Sequence, residues 1–178
     1  MKRMKYTLRN WKLFAMTFIV GTLCLCVSQA SAAIPKKGLV AIIVGGDDEH
    51  YIESVQSILI GELRTNGYKV VDEKKLAAER KSQVTRLALQ GDVKAILKLG
   101  SKYGASVVIT ARVRAGEPVM NEFELMTGTA SITVRARSGS NEIYGETFSA
   151  KQVGYTPEEA VQKSVDAAAL LAARKLVE

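Results

Sequence analysis

From Leu39 to Val44 the chain is an unbroken apolar run, the pattern of a strand buried on both faces. The period then changes. Ile52, Val55, Ile58/Leu59 and Leu63 share one stripe of a helix, which Asn66-Gly67 stops. Tyr68 to Val71 reads as a second short strand. Asp72 caps a charged helix running towards Gln90 and closed by Gly91. Asp92 caps another, with Val93, Ile96/Leu97 and Tyr103 facing inward and Gly104 as its stop.

Beyond Gly104 the period is two. Val107, Ile109, Ala111 and Val113 alternate with Val108, Thr110, Arg112 and Arg114. After a loop with Gly116 and Pro118, Phe123 and Leu125 begin a long strand. It continues with Ala130, Ile132, Val134 and Ala136 against Ser131, Thr133, Arg135 and Arg137. Ser138 to Asn141 turns into a third strand, Ile143 to Lys151. Thr156-Pro157-Glu158-Glu159 is a capping box with proline at the first helical position, and the closing helix buries Val161, Val165, Ala168, Ala172 and Leu176. The predicted order over 39–178 is β-α-β-α-α-β-β-β-α, behind a short lead-in at 33–38. This is a single α+β domain with a mixed sheet of about five strands and helices packed mainly on one face.

Ahead of it lies a segment of another kind. Lys2, Arg3, Lys5, Arg9 and Lys12 form a basic region without acids, followed by the apolar run Leu13 to Val27 and the small-x-small pattern Ala30-Ser31-Ala32. Residues 1–32 are predicted to be a secretory signal peptide cut near Ala32. The apolar run has 15 residues, short of the roughly 20 a spanning helix needs. The expected address is the periplasm, compatible with outer-membrane association but not with spanning.

Export changes the charge. The chain carries +7 from 25 basic and 18 acidic residues, yet five of the basic residues and none of the acidic ones lie in 1–32. The remainder sets 20 against 18, a net +2 that gives no support to nucleic-acid binding. The two cysteines, Cys24 and Cys26, also lie in that segment, so the exported chain is expected to have no disulfide, thiol nucleophile or cysteine metal ligand. Leu23 and Leu25 precede them where a lipobox has a small residue, a poor match for lipid attachment.

Four pieces of the domain carry a resemblance. They are Leu39 to Val44; Leu63-Arg64-Thr65-Asn66-Gly67-Tyr68-Lys69-Val70-Val71-Asp72; Gly91-Asp92 with Leu99 to Ile109; and Thr156-Pro157-Glu158-Glu159-Ala160. In these the chain resembles the periplasmic α/β domain shared by the curli secretion channel protein CsgG, the middle domain of the flagellar assembly protein FlgT, the N-terminal domain of TolB and the lipoprotein activators of penicillin-binding proteins. The resemblance implies a protein-binding or assembly module of the envelope, with no reaction of its own. A curli-type channel inserts long amphipathic hairpins, whereas Ala115 to Asn121 and Ser138 to Asn141 read as ordinary loops, so no pore is expected.

The chemical candidates are few. Gly45-Gly46-Asp47-Asp48-Glu49-His50 holds the one histidine. A phosphate loop there would need Lys or Arg, and three acids would repel the phosphate. A metal site would have to be built from carboxylates around His50, and no calcium-loop spacing exists. A strand end followed by an Asp47 or Asp48 cap explains the stretch, with the acids at the positive end of the helix. No serine sits on a strand-to-helix elbow, and nothing singles out a carboxylate pair. No catalytic residue, metal or cofactor is predicted, and the chain is not expected to be an enzyme.

The paired strands offer a more specific feature. Alternation puts Thr110, Arg112 and Arg114 on one face, and Thr129, Ser131, Thr133, Arg135 and Arg137 on the polar face of the next strand. If the strands are antiparallel neighbours, four arginines share the side of the sheet opposite the core. Arg112, Arg114, Thr133, Arg135 and Arg137 are the predicted partner-binding face, suited to an acidic protein or an anionic envelope polymer. Glu122, Glu124, Glu142 and Glu146 are the acids positioned to neutralise it instead. The expected function is a non-enzymatic envelope module that binds other envelope proteins, with self-association as a further property. A small-molecule or glycan-binding protein using the polar sheet face is the alternative, and a hydrolase ranks third. If the Gly45 to His50 stretch is only punctuation, His50→Ala leaves partner capture unchanged. Any activity lost with that side chain, measured on the exported protein, would restore it as a chemical centre.

Overall fold

The computed structural model describes residues 34–178; the predicted signal segment, with Cys24 and Cys26, lies outside them. β1 (Leu39–Gly45) runs between two parallel neighbours, β2 (Lys69–Val70) and β3 (Ala105–Ala115). Val40 to Gly45 are all buried, as an apolar run without alternation requires. β3 then pairs antiparallel with β5 (Met126–Ser138), from Val107 opposite Ser138 to Ala115 opposite Ala130. The two-residue β4 (Val119–Met120) extends that edge beside Met126 and Thr127. β6 (Asn141–Gly154) pairs along the whole length of β5. The result is the expected mixed sheet in an α+β domain, with six strands when the two-residue pieces are included.

Both long helices, α1 (Glu49–Thr65) and α5 (Pro157–Val177), pack on one face. There Val55, Leu59, Leu63, Val165, Ala168 and Ala172 meet the inward rows of β1, β3 and β5. Three short helices, α2 (Glu73–Glu79), α3 (Gln83–Leu89) and α4 (Val93–Tyr103), cover the other face with a smaller core. It joins Leu76, Ala88, Ile96 and Leu99 to Ala41, Ile43 and Val108. The split follows from the strand order. The first crossover moves from β1 to β2, and the next returns past β1 to β3. Crossovers of one hand that reverse direction place their helices on opposite faces. No helix among the described residues is long and apolar enough to cross a membrane.

α5 meets the sheet through backbone. A Cβ on Gly128 would stand 2.6 Å from the Val161 nitrogen and collide with the Ala160 carbonyl, and one on Gly154 would stand 2.6 Å from the Ala160 nitrogen. Ser164, fully buried, accepts a hydrogen bond from the Gln152 amide at 3.1 Å and donates to the Ala160 carbonyl at 2.8 Å. The alanines of α5 therefore serve its own sheet.

Three expectations are corrected. The charged helix read from Asp72 to Gln90 is two helices, because Ser82 is extended (ψ 151°) and caps α3 by accepting from the Thr85 amide. The break sends Arg80 into the side of α1, where it donates to Glu49 at 2.9 Å and to the buried Gln56 at 2.5 Å. Phe123 and Leu125 do not start the long strand. Asn121 accepts from both of their amides (2.9 and 3.1 Å), a turn that joins β4 to β5. Leu97 faces solvent, while its neighbour Ile96 is buried.

Gly128→Val is expected to push the first turn of α5 off the sheet and to cost on the order of 3 kcal/mol, within the range for overpacking a close contact. A Cβ on Gly61 in α1 would meet nothing within 4 Å, so Gly61→Ala should stabilise by about 0.5–1 kcal/mol through helix propensity alone. Thermal melting of the two variants checks both signs.

Candidate functional site: an arginine trough on the open sheet face

The side of β3 and β5 turned away from α5 is covered by short helices only near β1. Beyond them the sheet lies open. Its rows are fixed by register: Thr110 beside Arg135 and Gly145, Arg112 beside Thr133 and Thr147, Arg114 beside Ser131 and Ser149, and Thr129 beside Lys151. Thr133 and Thr147 are hydrogen-bonded at 3.0 Å. Hydroxyl side chains thus form a floor between Arg112, Arg114 and Arg135 at one end and Lys151 at the other.

Three adjoining depressions run along this face. One of about 340 Å³ lies between the end of α3 (Leu89, Gln90) and Arg112, Arg114, Thr133 and Arg135. A smaller one, about 180 Å³, is bounded by Gly45, Gly46, Arg86 and Arg112. The third, about 450 Å³, runs from Arg114 over Ser131 and Ser149 to Lys151. Among the described residues, no carboxylate lines any of the three.

The acids expected to neutralise the arginines are elsewhere. Ile143 is the extra residue of a β-bulge, so Glu142 sits opposite Arg137 rather than on the α5 side. Glu142 accepts from Arg137 at 2.7 Å, and Arg137 also donates to the Ser140 carbonyl at 3.0 Å. Glu146 lies opposite Val134 on the helix-covered side and accepts from the Tyr144 hydroxyl at 2.7 Å. Burial, then that hydrogen bond and the Glu146 charge, push the Tyr144 phenol well above its ordinary pKa, so it remains a donor. Glu122 and Glu124 lie in the β4–β5 turn, away from these rows. Among the described residues, Arg112, Arg114 and Arg135 have no carboxylate within 4.0 Å, and Arg137 has Glu142.

The structure therefore divides the predicted face. Arg112, Arg114, Thr133 and Arg135 line one depression, while Arg137 is paired and stands apart beside α4. It also adds residues the strand pattern did not bring in. Lys151 is the last residue of the predicted third strand, and register with Thr129 sets it on this face. Arg86, Leu89 and Gln90 come from α3, and no periodicity in the sequence ties that helix to this part of the sheet.

The Gly45-Gly46-Asp47-Asp48-Glu49-His50 stretch is helix punctuation with one addition. Asp48 caps α1, accepting from the His50 amide at 2.8 Å and the Tyr51 amide at 3.4 Å. A Cβ on Gly45 would strike the Leu89 side chain, and one on Gly46 would stand 2.5 Å from Val113. These glycines close the β1 end of the trough, with Arg86 and Arg112 beside them. His50 is exposed. Among the described residues no three His, Cys, Asp or Glu side chains gather as metal ligands.

Comparison with known proteins follows the fold. Lipoprotein GNA1162 from Neisseria meningitidis is 15% identical, with a TM-score of 0.54 over 76% of this chain and 96% of that one. Protein CT253 from Chlamydia trachomatis is 15% identical, with a TM-score of 0.49 over 79% of this chain and 94% of that one. The PelC dodecamer from Paraburkholderia phytofirmans is 10% identical, with a TM-score of 0.46 over 82% and 93%. At such identities a likeness concerns the fold alone. No curated protein matches the chain. Residues 40–177 match the TP0693-like lipoprotein C-terminal domain, and the chain belongs to that family.

Proposed function

We propose that this domain is a non-enzymatic docking module of the bacterial envelope whose arginine trough receives carboxylates on the surface of a partner protein. The carrying observation is the cluster of Arg112, Arg114 and Arg135 on an open, hydroxyl-floored face without acids of its own. Cations held on neighbouring strands of a sheet keep their spacing, so an acidic surface meets a preformed pattern. Guanidinium groups take carboxylates through paired N–H donors, which favours arginine over lysine at such a surface.

Membership of a lipoprotein domain family supports work at the envelope, as does the signal-like segment 1–32. The resemblance of four segments to the curli, flagellar, TolB and penicillin-binding-protein activator domains favours assembly over catalysis. The depressions are shallow and joined, which suits a protein surface better than a buried small molecule. Among the described residues, no aromatic side chain lines them, so those residues offer a sugar ring no stacking platform on the trough.

The test is affinity capture from envelope extract with the exported protein and its Arg112→Glu, Arg135→Glu double variant. Both side chains are exposed, so the variant should fold and melt as the parent does. Capture of the partner should fall about tenfold or more in the variant, and wild-type capture should weaken as salt is raised. An identical set of partners for the two proteins, unaffected by salt, would remove the trough from the binding surface.

A further inference from the structure

The turn between β4 and β5 is unlike the rest of the surface. Residues 115–134 contain Glu117, Glu122 and Glu124 and no lysine or arginine. Among these acids three large apolar side chains stand in solvent: Val119 is 66% exposed, Met120 63% and Phe123 73%. Single exposed hydrophobes are ordinary, but here three fall on one short hairpin. The hairpin is also held in shape. The Asn121 side chain accepts from the Phe123 and Leu125 amides, and the Asn121 amide donates to the Leu125 carbonyl at 2.8 Å.

Glu124 adds an independent sign. Its φ is 59°, and it is the one non-glycine residue at positive φ among the described residues. Glycine or asparagine fits that conformation with less strain. A glutamate held there at a cost of about 1 kcal/mol is consistent with a carboxylate needed at the tip.

β4 pairs with Met126 and Thr127, beyond the point where β3 stops at Ala130. The hairpin thus prolongs the sheet lengthwise and leads away from the trough of its own chain. Its chemistry is nevertheless the complement of that trough. Glu122 and Glu124 flank an exposed phenyl ring. Arg112, Arg114 and Arg135 surround a depression with an apolar wall at Leu89. Guanidinium groups donate to carboxylates at their edges and stack on aromatic rings with their planes.

The geometry points to a second copy of this chain as an occupant of the trough: the Glu122-Phe123-Glu124 finger of one copy docks among Arg112, Arg114 and Arg135 of another. This rests on the reading that the trough receives carboxylates, and it names one source of them. The three acids disfavour the other use of an exposed apolar tip, insertion into an anionic bilayer.

The test is a charge swap. The full chain is expressed, recovered from cells in mild detergent, and its mass measured by light scattering over a range of concentrations. Wild type should associate. Glu122→Lys with Glu124→Lys sets a basic finger against a basic trough. Arg112→Glu with Arg135→Glu sets an acidic finger against an acidic trough. Each variant alone should associate about tenfold more weakly or worse, and a one-to-one mixture should recover the wild-type mass because both contacts are then complementary. Phe123→Ser should weaken association while leaving the melting temperature unchanged.

A wild-type chain that stays at single-chain mass, or a mixture that does not recover, overturns the proposal. So does a wild-type chain of single-chain mass that binds phosphatidylglycerol vesicles through Phe123, which would make the finger a lipid-facing element. The finger variant keeps an intact trough, so it should still capture the envelope partner. If it does so while its mass equals that of wild type, self-docking fails and the docking function stands.

Discussion

Helix α5 lies against the backbone of two strands at once. Gly128 of β5 and Gly154 of β6 leave no side chain between the sheet and the first turn of the helix, and Ser164 ties that turn to the Gln152 amide. So close an approach leaves room for small residues, which is why the helix presents alanines to the sheet. It also commits the β5–β6 half to burial on that face. The inward rows of β5 and the closing helix form one continuous core with β1, β3 and α1.

The opposite face inherits its character from that commitment. β1 is covered on both sides, because the two crossovers that flank it must use opposite faces. Among the described residues, β5 and β6 are covered on one side only, since they are joined by a hairpin and no described helix returns over their outer surface. Polar residues of the alternating strands are therefore presented to solvent as a regular grid. Two local devices keep that grid positive. The bulge at Ile143 gives Glu142 to Arg137 alone, and Tyr144 holds Glu146 on the helix-covered side. Arg112, Arg114 and Arg135 are left to whatever approaches from outside.

That arrangement joins the proposed docking role to the proposed self-association. Paired strands hold the spacing of the arginine row, and the range of its attraction is set by ionic screening. An acidic finger at the far end of the same hairpin gives each chain both halves of a contact. Such a surface is specific because a basic neighbour is repelled as strongly as an acidic one is attracted.

Much of this was written locally. The unbroken run Leu39 to Val44, the stripe from Ile52 to Leu63 and the Thr156-Pro157-Glu158-Glu159 box define their elements through periodicity and capping, which act within a few residues. Alternation likewise put Arg112, Arg114, Thr133, Arg135 and Arg137 on polar faces before any register was known. The helix break at Ser82 was hidden because an extended serine and a helical one share the same letter, and the Arg80 contact with α1 that accompanies it joins residues 24 apart in the chain. Which arginines remain without a carboxylate depended on register, on one bulged residue and on which side Tyr144 faces. Arg86 and Leu89 joined the trough only because the second crossover lays α3 over the end of β1. Sequence determined the faces, because side-chain direction follows backbone period. Tertiary structure decided which charges meet, because electrostatic pairing depends on distances between residues far apart in the chain.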